Sequence, residues 1–593
     1  MRHRLSHVQI RNFRCAQDLS FELSDYTPIV GKNNAGKSTV LSGVRWLLKG
    51  GALTERDYGS PEEAVSVAGV IDGIEPALLE ALNDEHRKRI EPYCGSGRLA
   101  IRRSLGPVGG AARQFDVASL SDDLDLTAAD WVKNPTGIEA AIKALFPEPI
   151  LIAAMEDAAE DVGSNKSSTT IGKLIAQLVT PVRDGHGDDI AQALEVIRTR
   201  MGAAGEGRAP ELAEADEGMN GQLATLFPGL TVRLHVEPPS VADLLKAGTV
   251  RVFEEGIETG REIGALGHGA QRAVQMALIQ YLAERLRDTG ASTDARVLLL
   301  IEEPELYLHP QAIVRVREAL RRLSVGRFQV VISTHSPLML ELDDLPAAVL
   351  LARAPGQAAT VKPSLRTGLR KVFDDAPSQS RTLMEMSNAH QILFADRILL
   401  VEGQTETRLL EHTFARVTGR PIDAERIGMV GPGGGAGQLL KCLKVLRAIG
   451  VSARALADLD YALRTATGNG LIDQKHPALE ALRDVAGRLA PVHEFQLAPD
   501  GFPRSGGKVG VPEAIELIAA DPESNEPILD LHNMLREHDI WLWRKGAIEA
   551  HFGIDGKNEA ARSAFLSRLS VEKPDAVIKD LEGVREFFAW ITA

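Results

Sequence analysis

Apolar positions in this chain fall into short unbroken runs, each closed by glycine, charge or a polar turn. VLLLI at 297–301 is typical of the longest; VVIST at 330–334, RILLV at 397–401 and VSARALA at 451–457 are built the same way. Runs of this kind read as strands buried in a parallel sheet, with helices covering both faces. HVQIRNFR at 7–14 reads as a further strand, and VLSGVRWLL at 40–48 repeats at helical spacing. No run approaches the roughly 18 residues of a membrane span. The stretch MRHRLSHVQIRNFRC scatters charge where a leader would carry an apolar core. The expectation is an α/β protein of the cytoplasm with no membrane partner.

The pattern changes between 171 and 228, where IGKLIAQLV, IAQALEVIRTRM and GQLATLF show short helical repeats interrupted by GAAGEGRAPE. Sustained heptads are missing, so a small helical insertion serving dimerisation is expected in place of a long coiled-coil arm. The polar stretch LRTGLRKVFDDAPSQSRTLM marks a boundary near 385, after which α/β patterning resumes.

Composition adds little to this and removes some classes. At 593 residues, 44% hydrophobic and 25% charged, the chain has room for roughly three to four domain-sized units. A net charge of -14 argues against a generally basic nucleic-acid coat, while local basic patches beside acidic clusters stay compatible with it. Cys15, Cys94 and Cys442 are too scattered for a zinc or disulfide framework and read as buried thiols in a reducing compartment. Arg315, Arg317, Arg321 and Arg322 form a basic helical stripe that reads as a solvated face.

The first chemistry-bearing motif is GKNNAGKST, Gly31 to Thr39, in the order strand, glycine loop, helix. Gly31 and Gly36 let backbone N–H groups converge on phosphate oxygens around Asn33 and Asn34, and the helix N-terminus favours negative charge there. Lys37 reaches the outer phosphates and Ser38, with Thr39 beside it, can ligate Mg²⁺. RVLLLIEEPELYLHP ends an apolar strand in two acids, which suits Glu302 to a Mg²⁺ shell and Glu303 to polarising the attacking water. VVISTHSP brings His335 to a strand end as a γ-phosphate sensor, and ALGHGAQR sets Gly267, Gly269 and Gln271 where a helix offers free N–H groups to a phosphate.

Taken together, the phosphate loop, GHGAQ, EEPE with LHP, and STHSP resemble the ABC-type ATPase heads of the RecF, Rad50 and SMC group. The resemblance implies ATP bound at Gly31 to Thr39, capped in a homodimer by the Gly267 to Gln271 signature of the other subunit.

The last third carries a second acidic set. RILLVEG ends a strand at Glu402 and turns into a helix at Glu406, and ALADLD ends another strand at Asp458 and Asp460. A side-chain period of two would point both aspartates the same way, toward Glu402. Four gathered carboxylates repel unless cations neutralise them, and hard oxygen ligands suit Mg²⁺ or Mn²⁺. GPGGGAGQ at 431–438 lacks GK[ST] and reads as a plain strand-to-helix connection.

Glu, then Asp-x-Asp, on successive strand–helix units resembles a Toprim domain. A P-loop head followed by Toprim resembles the OLD (overcoming lysogenization defect) family of ATP-dependent nucleases, which includes the nuclease subunit of the Gabija defence system. The resemblance implies 1–160 and 236–385 as the two parts of the head, 161–235 as the helical dimerisation insertion and 386–593 as the Toprim nuclease domain. It implies metal ligands at Glu402, Glu406, Asp458 and Asp460, with Glu513 or Glu516 in KVGVPEAIE as a further one, and Lys545 in IWLWRKGAIEAHFG beside the scissile phosphate. Two metal ions, a DNA substrate, phage defence and a UvrD-like helicase partner are implied in the same way. A RecF-like DNA-binding ATPase with a silent Toprim domain is the competing reading. A topoisomerase would need a separate tyrosine nucleophile, and only Tyr461 lies in this region.

Overall fold

A computed structural model describes residues 3–593 apart from 111–112, 121–125, 128, 155–169, 204–206, 247–249, 254–258, 289–295, 327, 376–377, 379–380, 383–385, 434 and 557. The strands that position functional residues are β1 (Tyr26–Gly31), β2 (Ile150–Ile152), β3 (Val297–Glu302), β4 (Phe328–Thr334), β5 (Val349–Ala352), β6 (Arg397–Leu400), β7 (Ile427–Val430), β8 (Ser452–Ala457) and β9 (Ile540–Leu542). The Cα framework divides into two compact units. Met1–Val8, Ser24–Tyr26 and Leu41–Thr334 form the first, and Gln9–Leu23, Thr27–Val40 and His335–Ala593 the second.

In the first unit the apolar run Val297–Glu302 forms β3, which pairs in parallel with β4 on one side and β2 on the other, Glu302 lying opposite Ser333. Every residue of β4 is buried, as an unbroken apolar run requires. Strands Val65–Asp72, Arg98–Leu105 and Gln114–Ala118 pair antiparallel in sequence order in a separate sheet. The helical region is more continuous than its pattern predicts. One helix of 32 residues, Thr170–Met201, runs through Pro181 and Gly185, and Pro210–Leu226 follows it. Helix propensity is a weak prior, and helix formers on both sides of a proline can outweigh it. Residues 161–169, where the insertion is expected to begin, lie outside the described residues.

In the second unit β5 pairs in parallel with β1, Leu351 opposite Gly31. Further on, four parallel strands take the order β7-β6-β8-β9. Their side chains alternate between two cores. Ile398, Leu400, Ala455, Ala457, Ile540 and Leu542 face one, while Leu399, Val401, Leu456, Trp541 and Trp543 face the other. The second core is aromatic, with Phe552, Phe587 and Phe588 at most 2% exposed. Burying each such ring stabilises the layer by about 2 kcal/mol. A parallel sheet covered on both faces leaves the carboxyl ends of its strands as the place where polar side chains can gather.

Among the described residues no helix is long and apolar enough to cross a membrane.

Candidate functional site

The phosphate loop is shaped by close approaches that exclude side chains. A Cβ on Gly31 would lie 2.6 Å from the Leu351 carbonyl oxygen. Gly36 has φ +105°, and a Cβ there would meet Cys15 Sγ at 3.0 Å, so a larger residue is strained twice over. The helix Lys37–Lys49 starts directly after it, leaving Ser38 exposed at its first turn. Lys37 Nζ donates to the carbonyls of Gly31 (3.0 Å) and Lys32 (3.2 Å) and lies 2.6 Å from His335 Nε2. Two residues picked out separately in the sequence, Lys37 and His335, are thus brought into contact within the second unit. Asn33 and Asn34 are exposed on the loop, and Thr39 Oγ1 is 3.3 Å from Cys15 Sγ.

The first unit holds the other head residues. Glu302 closes β3 and accepts from the Ala154 amide at 3.3 Å. Glu303 follows with φ +44°, and its N–H donates to the Ser333 carbonyl at 2.9 Å. Gly267 and Gly269 open the helix His268–Asp288; a Cβ on Gly269 would lie 2.9 Å from the Tyr307 carbonyl. Gln271 is 3% exposed, and its side-chain amide donates to the Leu266 carbonyl at 2.7 Å. Arg272, beside it, escaped the sequence reading. Buried to 5% exposure, it donates to the carbonyls of Glu302 (2.7 Å) and Glu303 (3.2 Å) and so fixes the backbone that presents both acids.

The parallel register of the second unit's sheet brings its strand ends side by side. Leu400 of β6 lies opposite Ala455 of β8, and Ala457 of β8 opposite Leu542 of β9. Glu402 therefore follows β6, Asp458 follows β8 and Lys545 follows β9 on one rim. Glu406 sits in the first turn of the helix Gln404–Thr418, where an acid is favoured by the helix dipole. Burial first, and then the Glu549 carboxylate, pushes the Glu406 pKa up, with Arg562 working against them. Glu549 is itself 4% exposed and is paired with Arg562 at 2.8 Å.

Asp460 corrects the strand-period argument. β8 stops at Ala457, and the next residues begin a helical turn. Trp543 N–H donates to the Ala457 carbonyl and Leu459 N–H to the Gly546 carbonyl, which bends the chain away from the strand. Asp458 is half-buried and Asp460 exposed, so the alternation that would have aligned them does not apply. Among the described residues no three Asp, Glu, His or Cys side chains are drawn together as an ion-holding group.

The loop after β9 borders a cavity of about 940 Å³. Glu513 is exposed and spends Oε2 on capping its own helix at the Gly510 amide, 3.4 Å away. Glu516 packs against the Lys545–Gly546 turn; a Cβ on Gly546 would lie 2.8 Å from its Cγ. Glu513 and Glu516 both line the cavity with Lys545, and Glu516 packs directly on the lysine turn. Lys545 Nζ is 3.2 Å from Asp580 Oδ2, and the same oxygen accepts from His551 Nδ1 at 2.6 Å. The Lys545 amide donates to His551 Nε2 at 3.0 Å. A ring that accepts at Nε2 and donates at Nδ1 is neutral, in line with burial pushing the His551 pKa down. Asp580 stays charged, held well below the usual carboxylate range by His551 first and also by Lys545.

Fold and sites together define a P-loop ATPase joined to a Toprim α/β domain, modules that use nucleotide and divalent metal. Comparison with known families agrees. A model described as "Overcoming lysogenization defect protein-like, TOPRIM domain" matches residues 393–460, "AAA ATPase domain" matches 4–70, and an AAA-domain model matches 155–341. The chain is 33% identical to the Old nuclease of Escherichia phage P2, over 99% of this chain and 100% of that one. It is also 25% identical to the OLD nuclease of Thermus scotoductus (73% of this chain, 78% of that one) and 27% identical to Endonuclease GajA of Bacillus cereus (26% and 24%). The chain belongs to the OLD nuclease family.

Proposed function

We propose that this chain is an ATP-binding, Mg²⁺- or Mn²⁺-dependent DNA endonuclease that cleaves phosphodiesters at the Toprim rim under control of its ATPase head. One observation supports the reading: strands β6, β8 and β9 pair in parallel, and Glu402, Asp458 and Lys545 follow their carboxyl ends in sequence. The nuclease relatives supply DNA as the substrate class.

The donor type suits a divalent cation: these are carboxylate oxygens, and the Glu406 carboxyl is pushed up by burial first and by Glu549 as well, with Arg562 opposing, a cost to its charged form that a bound cation would relieve. Glu402, Glu406 and Asp458 would hold the metal, with Asp460 and Glu513 or Glu516 as further donors; two ions are proposed. Bound divalent ions supply an activated water and stabilise the attacking and leaving oxygens. The protein's own contribution is orientation: the strand ends fix Asp458, Glu516 supports the 545–546 turn, and the Lys545 ammonium faces the phosphate charge that develops during cleavage. In the head, Lys37, Ser38 and the loop amides hold ATP with Mg²⁺, Glu302 and Glu303 take the metal and water roles, and His335 reports the γ-phosphate. A homodimer, a helicase partner of the UvrD type and a role in phage defence belong to the same proposal.

The test incubates supercoiled plasmid with Mg²⁺ or Mn²⁺ and wild-type, Asp458→Ala or Lys37→Ala protein. Asp458→Ala should lower cleavage by roughly 100-fold or more, the loss expected when charge stabilisation of several kcal/mol goes. Undiminished cutting by Asp458→Ala would overturn the site, and DNA binding without any cutting would return the RecF-like reading.

A further inference from the structure

Lys545 is half exposed on a flexible four-carbon stem, and left to itself such a side chain spreads over many rotamers. Two groups hold it. His551, 2% exposed, accepts the backbone N–H of residue 545. Asp580 takes the ammonium on the oxygen that also accepts from His551. Neither holder is loose. The His551 ring stands 4.7 Å from Trp543 in the aromatic core. Asp580 donates its own amide to the His551 carbonyl at 2.9 Å and accepts from the Gly583 amide at 3.3 Å, capping the helix Leu581–Thr592.

The three side chains border the same cavity as Glu516. An ordinary buried His–Asp pair would need neither the lysine amide nor the lysine ammonium, yet here both ends of residue 545 are tied to it. We infer that His551 and Asp580 form a positioning pair that aims Lys545 into the cavity, His551 setting the backbone of the loop and Asp580 setting the direction of the ammonium. This rests on the proposal that Lys545 meets the scissile phosphate. A phosphate oxygen entering the cavity competes with Asp580 for the ammonium and finds it already oriented, so the benefit falls on turnover more than on DNA binding.

The experiment measures Mn²⁺-dependent plasmid cleavage by the full chain as wild type, Asp580→Asn, Asp580→Glu, Lys545→Ala and Lys545→Ala with Asp580→Asn. Nucleotide binding and circular dichroism confirm folding in each. Asp580→Asn should lower kcat by roughly 100-fold, the penalty for misplacing a reacting group by about 1 Å, with KM for DNA little changed. Asp580→Glu, which keeps the charge, should recover part of the loss and keeps the test decisive where Asp580→Asn folds poorly. The double variant should be no slower than Lys545→Ala alone, since a positioning group has nothing left to position. Asp580→Asn at wild-type rate, or losses that multiply in the double variant, would overturn the positioning role while leaving Lys545 in place. Wild-type cleavage by Lys545→Ala would instead sink the lysine assignment, and the positioning pair with it.

Discussion

His532 offers the sharpest quantitative test, because it fastens the strand that delivers Lys545. It lies on the helix Asn525–Arg536, is 2% exposed, and its Nδ1 donates to the Leu542 carbonyl at 2.9 Å while its ring meets Trp541 edge-on. Burial is the main cause of a pKa lowered from 6.5 to about 4, with Arg544 and Arg536 adding repulsion and the Leu542 bond opposing them. The folded ring is neutral where the unfolded ring would already be protonated. Stability from this group is therefore complete above pH 6.5 and is lost as pH falls toward 4. At about 1.4 kcal/mol per unit, the full interval is worth roughly 3 kcal/mol and the step from pH 7 to pH 5 roughly 2. His532→Asn keeps an N–H for the carbonyl and cannot titrate. Hydrogen exchange of peptides spanning 525–543, compared between wild type and variant at each pH, reads the local opening without assuming that the whole chain unfolds together. The ratio of opening constants should move roughly 30-fold against wild type between pH 7 and 5. Parallel pH profiles for the two proteins would refute the buried neutral histidine.

Three further outcomes are expected. Lys37→Ala should weaken ATP binding by roughly 10- to 100-fold, the worth of a charge-assisted bond, read with a fluorescent nucleotide; unchanged affinity would remove the phosphate role of the loop. Arg562→Met strips Glu549 of its ion pair and should destabilise the aromatic layer by about 3–5 kcal/mol in thermal unfolding, largely recovered by adding Glu549→Gln; equal losses in single and double variants would refute the pairing argument. Lys32 of the phosphate loop is 2.7 Å from Asp396, which precedes β6, but with Lys32 57% exposed the pair is worth at most about 1 kcal/mol. Asp396→Asn should leave stability nearly unchanged and shrink the ratio of cleavage with and without ATP by up to roughly 5-fold, and an unaltered ratio would exclude this link between the sites.

The contrast between Asp458 and Asp460 shows where sequence reasoning stops. The strand runs, the glycine loop at Gly31–Thr39 and the acids closing β3, β6 and β8 are local facts: apolar periodicity, a steric need for glycine, and the polarity of a strand end. Each could be read within a dozen residues. What happens one step past β8 is decided elsewhere, by Trp543 and Gly546 claiming the Ala457 carbonyl and the Leu459 amide, and no periodicity encodes a bond to a loop so far along the chain. The same holds for Glu513 and Glu516, one helical turn apart in sequence: that Glu516 packs on Gly546 while Glu513 caps its own helix is a fact of the fold alone. Arg272, Glu549, His551 and Asp580 follow suit. Arg272 lies within ALGHGAQR, and Glu549 and His551 within IWLWRKGAIEAHFG, yet nothing in type or spacing marks them there, because each of the four works by holding another residue: a carbonyl pair, a guanidinium, a lysine amide, a lysine ammonium. Groups that act on substrate are constrained in type and spacing by chemistry and so leave a pattern. Groups that hold them need only reach, from any element the fold brings near, and their identity becomes visible when the sheet register is known.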